Sequence, residues 1–388
     1  MRVGFVVAGM LLLASCDQNT ASRQETATRA PRHAPADVLP PAPLVAPDTA
    51  LPYRLLPGFG DSVQAPPLVR IGTEDFRVLA TARTDSARPL RYVPPPQPGT
   101  DPNDSTQNSI GRGFEGVYTF RLLQANGQPR FVRQLKKSDF KALISEALAV
   151  ESEVTAPSFA GYLPAFNALA FEISFYPPES DAGGQALVLL DAATGRVRHK
   201  SLARWTDGCN SLLALSANGR TLLSSTELLQ ANGHVTSLEK PGRTILGTLL
   251  INDQTALVEY GPGYDRRGQD VPLRGPNATL LDASGRVLKT FTLESIEAGL
   301  GSQILARYLA QTHAYYLFDE THRQLAVIPR DQPTQLQLLK LRQMAPFRAP
   351  QRPTEVKIVF ETETGAHAAF YLDTVSKQFR YTLRKPAY

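Results

Sequence analysis

Two short segments hold the residue types that most often recognise a ligand or a partner. Arg204-Trp205-Thr206-Asp207 contains the only tryptophan of the chain, and Tyr264-Asp265-Arg266-Arg267 sets an aromatic ring beside three charges. A guanidinium donates paired hydrogen bonds to carboxylate, phosphate or sugar groups, while an indole or phenol supplies flat apolar area with a polar edge. Arg204, Trp205, Asp207, Tyr264, Asp265, Arg266 and Arg267 are therefore the candidate binding residues. Trp205 has a second reading, because a lone tryptophan also packs readily into a core. Asp265 and Asp270 could contribute to calcium binding, but their spacing does not follow the EF-hand loop, and solvation is the simpler account.

No comparable pattern points to catalysis. Gly111-Arg112-Gly113-Phe114-Glu115-Gly116 spells G-x-G-x-x-G, yet a Pro-rich loop precedes it and a β-type run follows. A dinucleotide site needs the opposite order, strand first and then the start of a helix. The histidines, His33, His199, His234, His313, His322 and His367, show no ligand-like spacing, so no metal site is expected. There is no G-x-S-x-G, and Cys209 has neither His nor Lys beside it, which suits a small buried hydrophobe better than a reactive thiol. No cofactor and no catalytic residue is expected, and the chain reads as a binder more readily than as an enzyme. The competing reading is a hydrolase or lactonase with acidic residues holding a metal; a third is a purely structural component of the cell envelope.

These residues need a scaffold, and turn chemistry shows which. Gln124-Ala125-Asn126-Gly127, Asp191-Ala192-Ala193-Thr194-Gly195, Gln230-Ala231-Asn232-Gly233 and Asp282-Ala283-Ser284-Gly285 each end on a glycine between apolar β-forming runs. Asp331-Gln332-Pro333-Thr334 and Asp373-Thr374-Val375-Ser376 repeat the signal more loosely. The first residues of successive turns lie 67, 39, 52, 49 and 42 residues apart. A period of roughly 40 to 50 residues with four strands is that of a β-propeller blade. The long first interval holds Phe140, Leu143, Ile144, Ala147 and Leu148 at helical spacing, so an inserted helix of about four turns is expected over residues 138–153. In the first repeat, residues 76–83 and 88–93 read as two strands. Residues 221–229 must supply two strands with only Ser224-Ser225 between them.

Ser216-Ala217-Asn218-Gly219-Arg220 and Leu190-Asp191-Ala192-Ala193-Thr194-Gly195-Arg196-Val197 look like the turns of six-bladed, TolB-like propellers. The whole chain resembles the propeller lipoproteins of Bacteroidota. The resemblance spans about residues 67–388 and implies an all-β propeller of six four-stranded blades. Its motifs are structural turns and carry no catalytic residue across. Seven blades or a pair of β-sandwiches are the alternatives.

The chain start gives an address. After Arg2, residues 3–13 are almost wholly apolar, and Leu13-Ala14-Ser15-Cys16 places small residues before a cysteine. A run this short cannot cross a hydrocarbon core of roughly 30 Å as a helix, so residues 1–16 read as a cleavable export signal. The layout closely resembles the bacterial lipoprotein signal. That resemblance implies a diacylglyceryl group on Cys16 and a further acyl chain, and so an anchor in a cell-envelope membrane; an ordinary secretory signal is the alternative. In enteric bacteria, Asp17 after the lipidated cysteine would mark inner-membrane retention. Residues 17–66, with prolines recurring at 31, 35, 40, 41, 43, 47 and 52, read as a disordered tether, leaving 67–388 as the folded domain.

Composition narrows the partners. The formal charge is +5 with 42% hydrophobic and 20% charged residues, a globular balance, and the basic residues form no dense stripe of the kind nucleic acid needs. The expected partners are the membrane, through the lipid, and an envelope protein or small ligand. In a propeller, the connections between second and third strands emerge on the same side as those between blades. The long segments 94–113, 138–153, 176–184, 204–209 and 261–276 all fall on that side, which marks it as the working surface.

Overall fold

The computed structural model describes residues 44, 46–56, 67–94, 110–205, 208–209, 211–265, 269–298, 301–362 and 365–384. The protein is all-β and of the propeller type: antiparallel meanders packed face to face in chain order. The first sheet holds Leu68–Ile71, Glu74–Tyr92, Gly111–Leu123 and Pro129–Lys136, and the second Ser158–Leu163, Ala168–Phe175, Gly184–Asp191 and Val197–Trp205. The third holds Ala214–Ser216, Thr221–Leu223, Glu227–Gln230 and Val235–Ser237. The fourth is built on Arg243–Asn252, Thr255–Tyr264, Ala278–Asp282 and Val287–Phe291, and the fifth on Ala306–Leu309, Ala314–Asp319, Gln324–Pro329 and Gln337–Lys340. The sixth departs from the pattern. Its antiparallel strands Glu355–Glu361, His367–Asp373 and Phe379–Arg384 are joined at the far edge by Ala345–Pro346, which runs parallel to the last of them.

Face-to-face stacking explains why the inner strands are apolar throughout rather than alternating. Ala168–Phe175 is buried at all eight positions. Leu169, Phe171, Ile173 and Phe175 meet Tyr118, Phe120 and Leu122 of the first sheet, while Ala168 and Ala170 meet Leu215 and Leu222 of the third. Further buried clusters join the third sheet to the fourth, the fourth to the fifth and the fifth to the sixth. Large rings on one sheet oppose small residues or rings on the next, so the layers interdigitate. Among the described residues the clusters join consecutive sheets only. The outward face of the first sheet is polar, with Arg77, Thr81, Arg83, Arg121 and Gln134 exposed.

The turns read from sequence are tied together on one side. Asp191 Oδ1 accepts the N–H groups of Ala193 and Thr194, and Gly195 takes φ +70 beneath the Phe131 ring. Gln230 Nε2 and Thr236 Oγ1 both donate to Ala283 O in the turn of the neighbouring sheet. Ser224-Ser225 does separate two strands, as the pattern requires.

Three expectations change. Residues 76–93 do not hold two strands: Glu74–Tyr92 is one strand of 19 residues with an irregularity between Asp85 and Pro89, because a bulge absorbs the proline without ending the ladder. The inserted helix is broken into a 3-10 turn, Lys137–Phe140, then α1, Lys141–Ile144, and α2, Glu146–Glu151. Ser145 stands between the helices at φ +94 and its Oγ accepts the Leu148 N–H, so it caps α2 instead of continuing α1. The break lets Phe140, Ile144 and Ala149 reach the same buried cluster. Finally, the span read as tether contains structure. Tyr53–Leu55 adds a fifth strand to the free edge of Ala214–Ser216, and Ala310 N donates to Asp48 O on the fifth sheet. The unsatisfied backbone of an inner sheet edge provides the partners that composition alone does not reveal.

Candidate functional site

A pocket of about 370 Å³ lies where the helical insert and the segment at Gly208-Cys209 meet the second, third and fourth sheets. Its floor is apolar: Leu143 and Ile144 of α1, Leu202 of the second sheet and Ile245 of the fourth. Hydroxyls of Ser225, Thr226 and Thr244 and the Cys209 thiol line the walls, with Glu239 and Arg243 adding one charge of each sign. Ser225 is held by donating to Ala203 O and Cys209 O, 2.5 and 3.3 Å away. Cys209 is buried, its Sγ 3.7 Å from Thr248 Oγ1.

The helical wall is anchored from below. Lys137 is buried and donates to Val150 O and Ser152 O at 3.0 and 2.9 Å, so its ammonium caps the carbonyl end of α2. Burial pulls the Lys137 amine below its ordinary range, with Glu115 opposing that shift. Glu115 in turn accepts from Ser138 N and Oγ. Gly113 lies against α2 so closely that a Cβ there would sit 1.9 Å from Val150 O.

Beside the pocket, Thr255–Tyr264 runs past its sheet and pairs with Asp270–Val271, Gly263 opposite Val271 and Tyr264 opposite Asp270. Arg243 Nη1 donates to Gly242 O, Val271 O and Pro272 O, fixing this hairpin to the pocket wall. Tyr264 projects from it 69% exposed. Asp265 Oδ1 accepts the Gln269 N–H, which engages that carboxylate in the hairpin end.

The sequence-derived candidates separate. Tyr264 and Asp265 sit on the hairpin; Arg266 and Arg267 lie outside the described residues. Arg204 is largely buried, 15% exposed, with Nη2 4.0 Å from the Glu172 carboxylate inside the seam between second and third sheets. Trp205 ends its strand opposite Gly184; its side chain, Asp207 and Cys16 are outside the described residues. Sequence reasoning did not find Glu239, Arg243 or the α1 floor, because five separated segments contribute and no spacing links them. It named His322 only among the scattered histidines and missed its pairing with Asp319 across a tight turn, signalled only by their three-residue interval. Among the described residues no group of three or more His, Cys, Asp and Glu could hold a metal, and no helix is long and apolar enough to cross a membrane.

No protein-family model matches the chain, and no curated protein matches it. Among solved structures it is similar to BamB from Moraxella catarrhalis, at 13% identity over 73% of this chain and 81% of that one, TM-score 0.20. A putative exported protein from Bacteroides fragilis matches at 10% identity over 56% and 66% of the two chains, TM-score 0.23. The nidogen/laminin complex structure contributes a third, at 12% identity over 69% and 90%, TM-score 0.25.

Proposed function

We propose that this chain is a six-bladed propeller lipoprotein of the cell envelope that captures a partner protein through the side carrying its long connections, without chemistry of its own. The observation that carries the reading is the joined pocket and hairpin: an apolar floor, a rim with both charge signs and an exposed tyrosine, all fixed to rigid sheets. Partner interfaces concentrate their binding energy in such aromatic anchors beside desolvated pockets. Arg243 belongs to the support of the hairpin, and Tyr264 is the anchor.

A photo-crosslinking residue placed at Tyr264 should give a discrete adduct in native envelopes, and the same residue at Ser284, on the opposite side, should not. With the adduct partner purified, Tyr264→Ala should weaken capture at least tenfold while the melting temperature stays within about a degree, since exposed residues contribute little to stability. Equal adducts from both sides would refute the reading.

Anchoring through Cys16 rests on the signal-like chain start. Cys16→Ala should lose metabolic labelling by a fatty-acid probe, and retention of label on the variant would remove the lipid from the proposal.

A further inference from the structure

A second cleft, of about 620 Å³, opens between the fifth and sixth sheets and shares no residue with the pocket beside Tyr264. Thr321, His322, Arg323, Lys340, Arg342 and Tyr381 line it, so three permanent cations, an imidazole, a hydroxyl and a phenol converge with no carboxylate among the lining residues. It adjoins a further hollow of about 490 Å³ that Arg323 and Tyr381 also line, together with Phe347.

Part of this cation set is positioned from the interior. Lys340 Nζ donates to Gln324 Oε1 at 2.8 Å, and Gln324 Nε2 donates to Asp319 Oδ2 at 3.0 Å. Asp319 also accepts the His322 N–H at 2.8 Å and faces His322 Nδ1 at 2.9 Å. Asp319 and Gln324 are buried, so lysine and imidazole are both held by a fixed core network. With Nδ1 turned to Asp319, the ring keeps Nε2 for a ligand. Arg323 and Arg342 differ: neither guanidinium has a hydrogen-bond or ion-pair partner among the described residues. Arg323 holds its place in the turn at φ +48, a backbone state that favours glycine.

Asp319 engages His322 directly and Lys340 only through Gln324, and no carboxylate lines the cleft beside Arg323 and Arg342, so a multiply charged oxyanion would offset the repulsion among these cations while accepting several donors at once. We propose that this cleft binds a small phosphorylated ligand, its phosphate held by Arg323, Arg342 and Lys340 with His322 beside them, and its organic part resting on Tyr381. The site is independent of the capture surface proposed above.

Phenyl phosphate is the probe, titrated calorimetrically into the full chain at fixed pH and low salt. It should bind at one site, sulfate should compete with it and phenol should not. Arg323→Gly combined with Arg342→Ala should weaken binding at least tenfold, whereas Arg133→Ala, an exposed cation of the first sheet, should leave it unchanged. Glycine suits the backbone at 323, and Arg342→Ala alone, on an exposed turn, should still give a loss of threefold or more in a normally folded chain. Undiminished affinity in the double variant, competition by phenol equal to that of sulfate, or no saturation by about 10 mM probe would overturn the proposal.

Discussion

Between about pH 4 and 9 the folded chain should lose roughly 5 kcal/mol of stability through one side chain, Glu259, and Glu259→Gln should remove that loss. The residue lies in the second strand of the fourth sheet and is 1% exposed. Burial, the largest cause, raises its carboxyl from 4.5 to about 8, and Glu294 and Asp319 add to the effect; hydrogen bonds from Ser295 oppose it. The folded state therefore keeps the proton that the unfolded chain releases near 4.5. Stability from this group is complete below about pH 4.5, falls as the pH rises, and is gone above about pH 8. Each pKa unit corresponds to about 1.36 kcal/mol, which sets the size of the loss. Glutamine keeps the acceptor that takes the Ser295 N–H at 2.8 Å and has no charge to bury. Denaturant titrations of both chains at several pH values would show two diverging lines; parallel lines would mean that Glu259 ionises freely in the fold.

The second large effect is expected at the seam between the first two sheets. Phe171→Ala should destabilise the chain by about 3 to 5 kcal/mol, the usual loss for a buried aromatic whose site cannot collapse. The ring is 1% exposed and meets Phe120 at 4.7 Å and Phe159 at 5.4 Å between centroids. Collapse is resisted because ladders on both sides hold the flanking strands in register. Val132→Ala, at a position 52% exposed, is the matched control and should stay within roughly 0.5 kcal/mol. A loss below about 1 kcal/mol at Phe171 would show that the sheets slide to fill the space.

What could be read from the chain follows from how local the signal is. The turns around Gly195 and Gly285 are set by a positive φ and by Asp191 or Asp282 bonding to the backbone two to four residues on, all within five residues of sequence. They disclosed most of the strands and the order of the sheets. The helix at 138–153 was half legible: helical spacing places Phe140 and Ile144, but the break at Ser145 answers to packing against the first sheet. Tyr53–Leu55 was hidden, since its partner strand stands some 160 residues away and its neighbours are prolines. Arg204 shows the converse. Its residue type suggested a ligand, whereas the buried Glu172 beside it gives that charge an internal use. Neither cleft was visible, because each is lined by segments that only the stacking of sheets brings together.

The early strand Tyr53–Leu55 also places a short set of bonds in the way of any tension applied from the preceding residues. Tension arriving along the preceding residues reaches Ala46 and Asp48 first, whose carbonyls are held by Gln311 Nε2 and Ala310 N of the fifth sheet. It passes next to the three residue pairs that match Tyr53, Arg54 and Leu55 with Ser216, Leu215 and Ala214. These few bonds act as a fuse. If these bonds gave way under a pull while the sheets held, residues 46–55 would be released and the chain would gain about ten residues of reach, roughly 30 Å when extended.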